Sequence, residues 1–206
     1  VPVGIREAVM AGRGPDIALY MSSDEPMNLA IRNALVDLSQ FDTFNEVTDR
    51  FMEGAITPFL LEDKCYALPL TEIFPMLFVR TDIFNELGLE VPQTWEDMHN
   101  TASAIQRKNM DIGIPSTIGT FATILFQNGG SFFNEDKSRT MFDSEQSFDA
   151  FMQWTEFFSQ YSFPLQYDFY NRFRTGEMPI GIAPYTMYTM FRIAAPEINN
   201  RWTMYP

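Results

Sequence analysis

Polar and aromatic side chains follow a short apolar run near the start of the chain. Residues 17–20 are predicted to form a buried strand, and Ser22 and Asp24 come soon after it. Ligands bind at the carboxyl ends of strands in a parallel sheet. Tyr20, Ser22 and Asp24 are therefore candidate binding residues that offer a ring, a hydroxyl and a carboxylate. The alternative is that Ser23 or Asp24 starts the next helix as its N-cap.

A second candidate site is the Ser-Thr-Gly loop at residues 116–120, which precedes a short apolar helix. Backbone N–H groups at a helix start have no partner within the helix and can donate to a ligand oxygen. Gly119 would allow a ligand to approach closely, so Thr117 and Gly119 are candidate binding residues. A purely structural loop remains the alternative.

Nucleophilic and metal chemistry have few residues to use. His99 is the only histidine and Cys65 the only cysteine, which excludes an intrachain disulfide and a cysteine-based zinc site. A Ser-His-Asp or Cys-His arrangement would have to use His99. We expect no enzyme activity, no metal and no cofactor.

Composition restricts the partners. The chain has 206 residues with 27 Asp and Glu against 14 Lys and Arg, a formal net charge of -13. Such a surface repels phosphate backbones, so nucleic acid is not an expected partner. Hydrophobic residues make up 46% of the chain, which predicts a folded protein. Its apolar runs are shorter than the roughly 20 residues that cross a bilayer.

The elements that must position these residues alternate between strand and helix, which predicts an α/β fold. A first helix over residues 5–11 should end at Gly12, before the strand at residues 17–20. Later strand-like runs occupy residues 66–70, 76–80 and 178–183.

Two later helices have clear start signals. Thr94 and Asp97 have the spacing of a capping box, with Asp in place of the usual Glu. Asp143 and Ser144 start the clearest helix, whose apolar residues predict burial nearly all round. Trp154 in this helix is interpreted as a core residue.

Three stretches together resemble the extracellular solute-binding proteins of the family that includes maltose-binding protein. The first is the turn and strand AGRGPDI at residues 11–17. The second is KCYALPL at 64–70 with LFVRTDIF at 77–84 and VPQTWED at 91–97, and the third is FRTGEMPIGIA at 173–183. Their order and spacing agree with the family across almost the whole chain.

The resemblance implies an α/β, periplasmic-binding-protein-like two-lobe fold that is incomplete here. Residues 1–72 would be a partial first lobe and residues 73–206 most of the second. It implies the solute-binding component of an ABC importer, which captures a small solute by hinge closure and delivers it to a membrane permease. We expect a monomer at the cell surface or in the periplasm, lipid-anchored in the full-length protein.

The resemblance also implies binding residues. Tyr185, followed by Thr186, stands where related sugar binders place a stacking aromatic, and Glu72 stands near their cleft acid. The alternatives are an ordinary half-buried tyrosine for Tyr185 and a solvated loop charge for Glu72. The implied solute is a neutral sugar or oligosaccharide, with a peptide or polyamine as the alternative.

Two other functions stay open at the level of sequence. A carbohydrate-active enzyme would use paired carboxylates, and acidic residues are abundant in this chain. A binding fold could also serve as a sensor or adhesin without a transport role. Neither alternative is distinguished from import by composition.

Overall fold

A computed structural model describes residues 4–22, 24–52 and 54–206 of the chain. Contacts divide the chain into an N-terminal unit, Val1–Glu72, and a C-terminal unit, Ile73–Pro206. Their assignment to part of a first lobe and most of a second lobe stays a prediction.

The described residues of the N-terminal unit form short helices and one small hairpin. They comprise α1 (Gly4–Met10), α2 (Asp24–Ala30), α3 (Phe44–Thr48), β1 (Leu60–Leu61) and β2 (Lys64–Cys65), with 3₁₀ turns at Leu38–Gln40 and Thr57–Phe59. The strands β1 and β2 pair antiparallel. Glu25 of α2 is buried, and its carboxylate accepts a hydrogen bond of 2.9 Å from Nε of Arg6 in α1. This pairing compensates for the desolvation of the carboxylate.

The predicted helix at residues 5–11 is confirmed as α1, but the predicted strand at residues 17–20 is wrong. These residues form no ladder, and Ile17, Leu19 and Tyr20 are exposed. A strand needs a neighbour to pair its backbone N–H and C=O groups. In the described part of this unit the only ladder is the short pairing of β1 with β2. Residues 66–70 form no strand either, and Pro69 among them cannot donate to a ladder.

The C-terminal unit alternates helices with the strands of one sheet. Its elements are β3 (Pro75–Val79), α4 (Thr81–Leu87), α5 (Trp95–Gln106), β4 (Ile112–Gly113), α6 (Ile118–Gln127), α7 (Glu145–Ser159), α8 (Phe169–Thr175), β5 (Ile180–Pro184), α9 (Met187–Ala194) and β6 (Thr203–Tyr205), with a 3₁₀ turn at Pro196–Ile198. The predicted α/β class is confirmed.

The sheet is mixed, with the order β4-β5-β3-β6. The central strand β3 runs antiparallel to both neighbours, whereas β4 and β5 are parallel. The strand predicted at residues 76–80 is confirmed with a shift of one residue. Pro75 is the first residue of this central strand, a position where a missing N–H is tolerated.

Alternate side chains of β3 enter two separate cores. Val79 joins the larger core, which β4, α5, α6 and α7 also supply, with Ile105, Ile124 and Phe157 fully buried. Phe78 joins a smaller core, mainly from α8 and α9. Because successive residues of a strand face opposite sides, the sheet carries helices on both faces.

Helix α7 is less buried than the sequence suggests. Phe148 is 62% and Phe151 50% exposed, so the prediction of burial nearly all round is wrong. The helix packs mainly against α6, and that contact covers one side of it. Trp154 packs against the larger core, as predicted.

Helix boundaries follow the predicted capping signals. Thr94 and Asp97 form the capping box: Asp97 N–H donates to Thr94 Oγ1 at 3.1 Å, and Thr94 N–H donates to Asp97 Oδ2 at 3.0 Å. The hydrogen bond from Thr94 lowers the pKa of Asp97. The hydroxyl of Ser144 caps α7. Gly88 ends α4 with a φ of 64°, a left-handed conformation that glycine adopts without strain.

Arg80 ties the end of β3 to α8. Its side chain is buried and makes two hydrogen bonds to the carboxylate of Asp82, at 2.9 and 2.8 Å. Its Nη1 donates to the carbonyls of Phe173 and Arg174 at the end of α8. Burial raises the pKa of Asp82, but the hydrogen bonds and charge of Arg80 outweigh it and leave that pKa lowered. The guanidinium is thus fully paired, as a buried charge must be.

Two glycines face each other where β4 meets β5. Gly113 pairs with Gly181, and the ring of Phe169 packs over both. A Cβ at Gly181 would lie 2.5 Å from Phe169 Cε2 and 2.7 Å from the carbonyl oxygen of Gly113. These distances are shorter than real contacts allow, so only glycine fits at position 181.

We predict that Gly181→Ala lowers the free energy of unfolding by about 1–3 kcal/mol, the usual cost of overpacking. The measurement is urea unfolding followed by tryptophan fluorescence, because all three tryptophans lie in the C-terminal unit. Gly119→Ala is the matched control, since a Cβ there would have only Thr117 Oγ1 nearby, at 3.6 Å. Equal stability of Gly181→Ala and the wild type would contradict the packing argument.

His99 on α5 is stacked against Tyr161, with ring centroids 4.1 Å apart, and meets the ring of Phe157 edge-on. Its Nε2 is buried without a hydrogen-bond partner in the part of the chain that the structure describes. Burial lowers the pKa of His99 below its ordinary value of 6.5, although Glu156 and Glu96 act in the opposite direction. The fold therefore favours the neutral imidazole.

We predict that the wild type loses more stability than His99→Phe when the pH falls from about 8 to about 5, the range in which histidine titrates. The unfolded chain binds a proton at His99 more readily than the folded chain, so acid favours unfolding. The phenyl ring keeps the stacking and cannot titrate. The measurement is urea unfolding of both proteins across this range, and parallel pH profiles would contradict the prediction.

Candidate functional site

One edge of the sheet in the C-terminal unit carries an end of each of its four strands. The strands β4, β5 and β6 run in the same direction and end there, and β3 begins there. Ligands of α/β proteins bind outside the carboxyl ends of strands. We therefore expect a ligand site at this edge.

A hollow of about 930 Å³ lies at this edge. It is bounded by the start of β3, the end of β5, the start of α5 and one face of α6. Its polar lining residues are Gln93, Thr94, Thr117, Thr120, Thr123, Gln127 and Asn128; the others include Phe74, Met76, Leu77, Trp95, Met98, Ile182 and five prolines. The lining side chains, all from the described part of the chain, are uncharged. The hollow is thus suited to an uncharged ligand with apolar faces and polar edges.

An aromatic pair stands beside the hollow. The rings of Phe74 and Tyr185 are stacked, with centroids 4.6 Å apart and planes 15° apart, and Tyr185 N–H donates to the carbonyl of Phe74 at 3.0 Å. Phe74 is 46% and Tyr185 36% exposed, so ring surface remains available to a ligand. Of the two, Phe74 lines the hollow directly. Thr186 follows Tyr185, is exposed, and precedes α9.

The start of α6 contributes the two loop residues predicted from sequence. Thr117 is the N-cap residue of α6, its side chain makes no capping hydrogen bond, and Gly119 lies in the first turn. Both line the hollow. The first N–H groups of a helix have no intrahelical acceptor, so this end of α6 can donate to a ligand oxygen.

Most hydroxyl groups along the hollow already have partners. Thr120 Oγ1 donates to the carbonyl of Pro115 at 2.6 Å, and Thr123 Oγ1 donates to the carbonyl of Gly119 at 3.0 Å. Because each hydroxyl has one proton, these two threonines can only accept from a ligand. Thr94 Oγ1 accepts from Asp97 N–H in the capping box.

Four predicted residues belong to the N-terminal unit. Tyr20 is 85% exposed and has a φ of 58°, and Ser22 and Glu72 are exposed. Asp24 is the first residue of α2, which agrees with the helix-start alternative, and a hydrogen bond from Ser22 lowers its pKa. Ser23, the other proposed cap, lies outside the described residues. Participation of these four in a ligand site stays a prediction.

Sequence reasoning missed three residues of the hollow. Phe74 lies two residues beyond Glu72, the only residue of this stretch for which the resemblance implies a binding role. Trp95 packs against Phe157, with centroids 5.2 Å apart, and it also lines the hollow; its place after Thr94 indicates only a helix start. Gln127 had no signal except its place before a helix end.

Two further properties concern the described residues as a whole. None of their helices is both long and apolar enough to cross a bilayer. No group of three or more His, Cys, Asp or Glu residues among them is placed to hold a metal ion.

A family profile described as bacterial extracellular solute-binding protein matches residues 4–206. A search among curated proteins finds no match.

Several solved structures share the fold. A solute-binding protein of an ABC transporter from Thermotoga lettingae, bound with α-D-tagatose, has a TM-score of 0.79 at 20% identity; 97% of this chain aligns with 55% of that one. The GacH receptor of Streptomyces glaucescens, solved unliganded and with acarbose, gives 0.78 at 18%, covering 100% and 56%. The Listeria monocytogenes protein in complex with cycloalternan gives 0.76 at 22%, covering 97% and 54%. The chain thus spans about half the length of these proteins.

Proposed function

The chain belongs to the bacterial extracellular solute-binding proteins, and on that premise we propose that it captures a neutral carbohydrate for an ABC importer. The observation that carries the proposal is the uncharged hollow at the sheet edge, with an aromatic pair beside it. Aromatic rings pack against the apolar faces of a sugar, and hydroxyl and amide groups bind its polar edge. The solved structures named above hold α-D-tagatose, cycloalternan or acarbose.

Other parts of the proposal rest on the family. Delivery to a membrane permease, capture by closure of two lobes, a monomeric state and a lipid anchor in the full-length protein remain predictions. Binding without chemistry is also part of the proposal. Glycoside hydrolysis uses two carboxyl groups beside the scissile bond, and the side chains that line the hollow are uncharged. Incubation with chromogenic glycosides tests this point, and turnover would contradict it.

We predict that a neutral sugar raises the melting temperature of the chain. A ligand that binds only the folded state stabilises it by about 2.7 kcal/mol at a hundredfold excess over its Kd. The panel consists of α-D-tagatose, maltose, lacto-N-biose and β-1,6-galactobiose, which are bound in structures of similar fold. Spermidine serves as a cationic comparison. A shift with spermidine and none with the sugars would contradict the proposal.

We predict that Tyr185→Ala weakens binding of the sugar about two- to tenfold, because an aromatic stacking contact contributes about 0.5–1.5 kcal/mol. Tyr185→Phe is the matched control, since it keeps the ring and its contact with Phe74. The measurement is isothermal titration calorimetry together with the melting temperature of each variant. Unchanged affinity in Tyr185→Ala would remove this residue from the site.

A further inference from the structure

One side-chain hydrogen bond joins two helix ends in the wall of the hollow. Trp95 is the first residue of α5 and Gln127 the last residue of α6, and the indole Nε1–H donates to Gln127 Oε1 at 2.8 Å. Both residues line the hollow. The indole is half-buried, and its ring packs against Phe157 of the larger core. The donor therefore has a fixed position, and it holds the exposed side chain of Gln127.

The chemistry of the two groups decides which way the amide faces. An indole nitrogen can donate a hydrogen bond and cannot accept one. The amide oxygen of Gln127 must therefore face Trp95, and its Nε2 group, with two N–H donors, must face away. Nε2 makes no hydrogen bond within the described residues. It is a donor whose orientation is set before a ligand arrives.

This donor differs from the neighbouring threonine hydroxyls. The hydroxyl protons of Thr120 and Thr123, which line the hollow with Gln127, are already donated to backbone carbonyls. Along this wall the threonines thus offer acceptors, and Gln127 offers donors. A solute that places an acceptor oxygen at Gln127 and hydroxyl protons at Thr120 and Thr123 would form hydrogen bonds with all three side chains.

We propose that Gln127 is a specificity-determining residue that donates from Nε2 to an acceptor oxygen of the solute, and that Trp95 is its positioning residue. The inference rests on the proposed function and extends it to two named residues. The solute oxygen belongs to a hydroxyl, an ether or a carbonyl group. Preorganisation by Trp95 matters because an unrestrained glutamine would lose rotamer freedom on binding.

The test uses the full 206-residue chain and the four sugars named above, titrated by calorimetry. Gln127→Glu keeps an oxygen acceptor for Trp95 and removes both donors. Trp95→Phe keeps an aromatic ring against Phe157 and removes the indole donor. Each variant should raise the Kd of a bound sugar about three- to tenfold, the effect of one lost hydrogen bond.

The double variant separates positioning from packing. If Trp95 acts through Gln127, Trp95→Phe combined with Gln127→Glu should bind no more weakly than Gln127→Glu alone. Gln166→Glu is the matched control, because it adds the same charge at an exposed residue that does not line the hollow. Its affinity should equal that of the wild type.

Three outcomes overturn the inference. Wild-type binding that is unchanged in Gln127→Glu removes Gln127 from recognition. Additive losses in the double variant show that Trp95 contributes on its own account and not as a positioning residue. If the wild type binds none of the four sugars, the proposed function fails and the inference fails with it, whereas the first two outcomes leave the proposed function standing.

Discussion

Five residue pairs hold β3 against β5, from Pro75 opposite Pro184 to Val79 opposite Ile180. This register decides what stands at the sheet edge, because the residues just beyond the paired prolines are Phe74 and Tyr185. A slip of one residue would turn every side chain of the strand to the other face. It would move Phe78 out of the smaller core and separate the two stacked rings. The aromatic pair is therefore a consequence of strand pairing, and the buried aromatic core fixes that pairing.

The electrostatics of the hollow differ from those of the chain around it. The chain has a formal net charge of -13, but the side chains that line the hollow are uncharged. A neutral ligand can enter such a space without requiring a counter-charge, and its hydroxyl groups can replace water at the threonine, glutamine and asparagine side chains. The acidic residues that give the chain its charge are thus not among the residues that line the hollow.

Local signals predicted the helix starts well and the site poorly. The capping box at Thr94 depends on residues three positions apart, so it can be found from sequence. The strand at residues 17–20 could not be judged in this way, because a strand exists only if another segment pairs with it. The side chain of Gln127 is oriented by a hydrogen bond from Trp95, 32 residues away in sequence. No local sequence pattern encodes that contact. The family resemblance indicated the fold, which is confirmed, and it pointed to Tyr185, whose role in a ligand site stays a prediction.

The facing glycines of β4 and β5 restrict which substitutions this sequence can accept during evolution. At position 113 an added methyl group would meet Met178 Sδ and the ring of Phe169, both of them side chains that a second substitution could shrink or shift. At position 181 it would also meet the backbone oxygen of Gly113, which no substitution removes. Homologous sequences should therefore exchange residue 113 together with residue 169, whereas residue 181 should remain glycine throughout. Covariation at position 113 and invariance at position 181 would both result from the same close contact between the two strands.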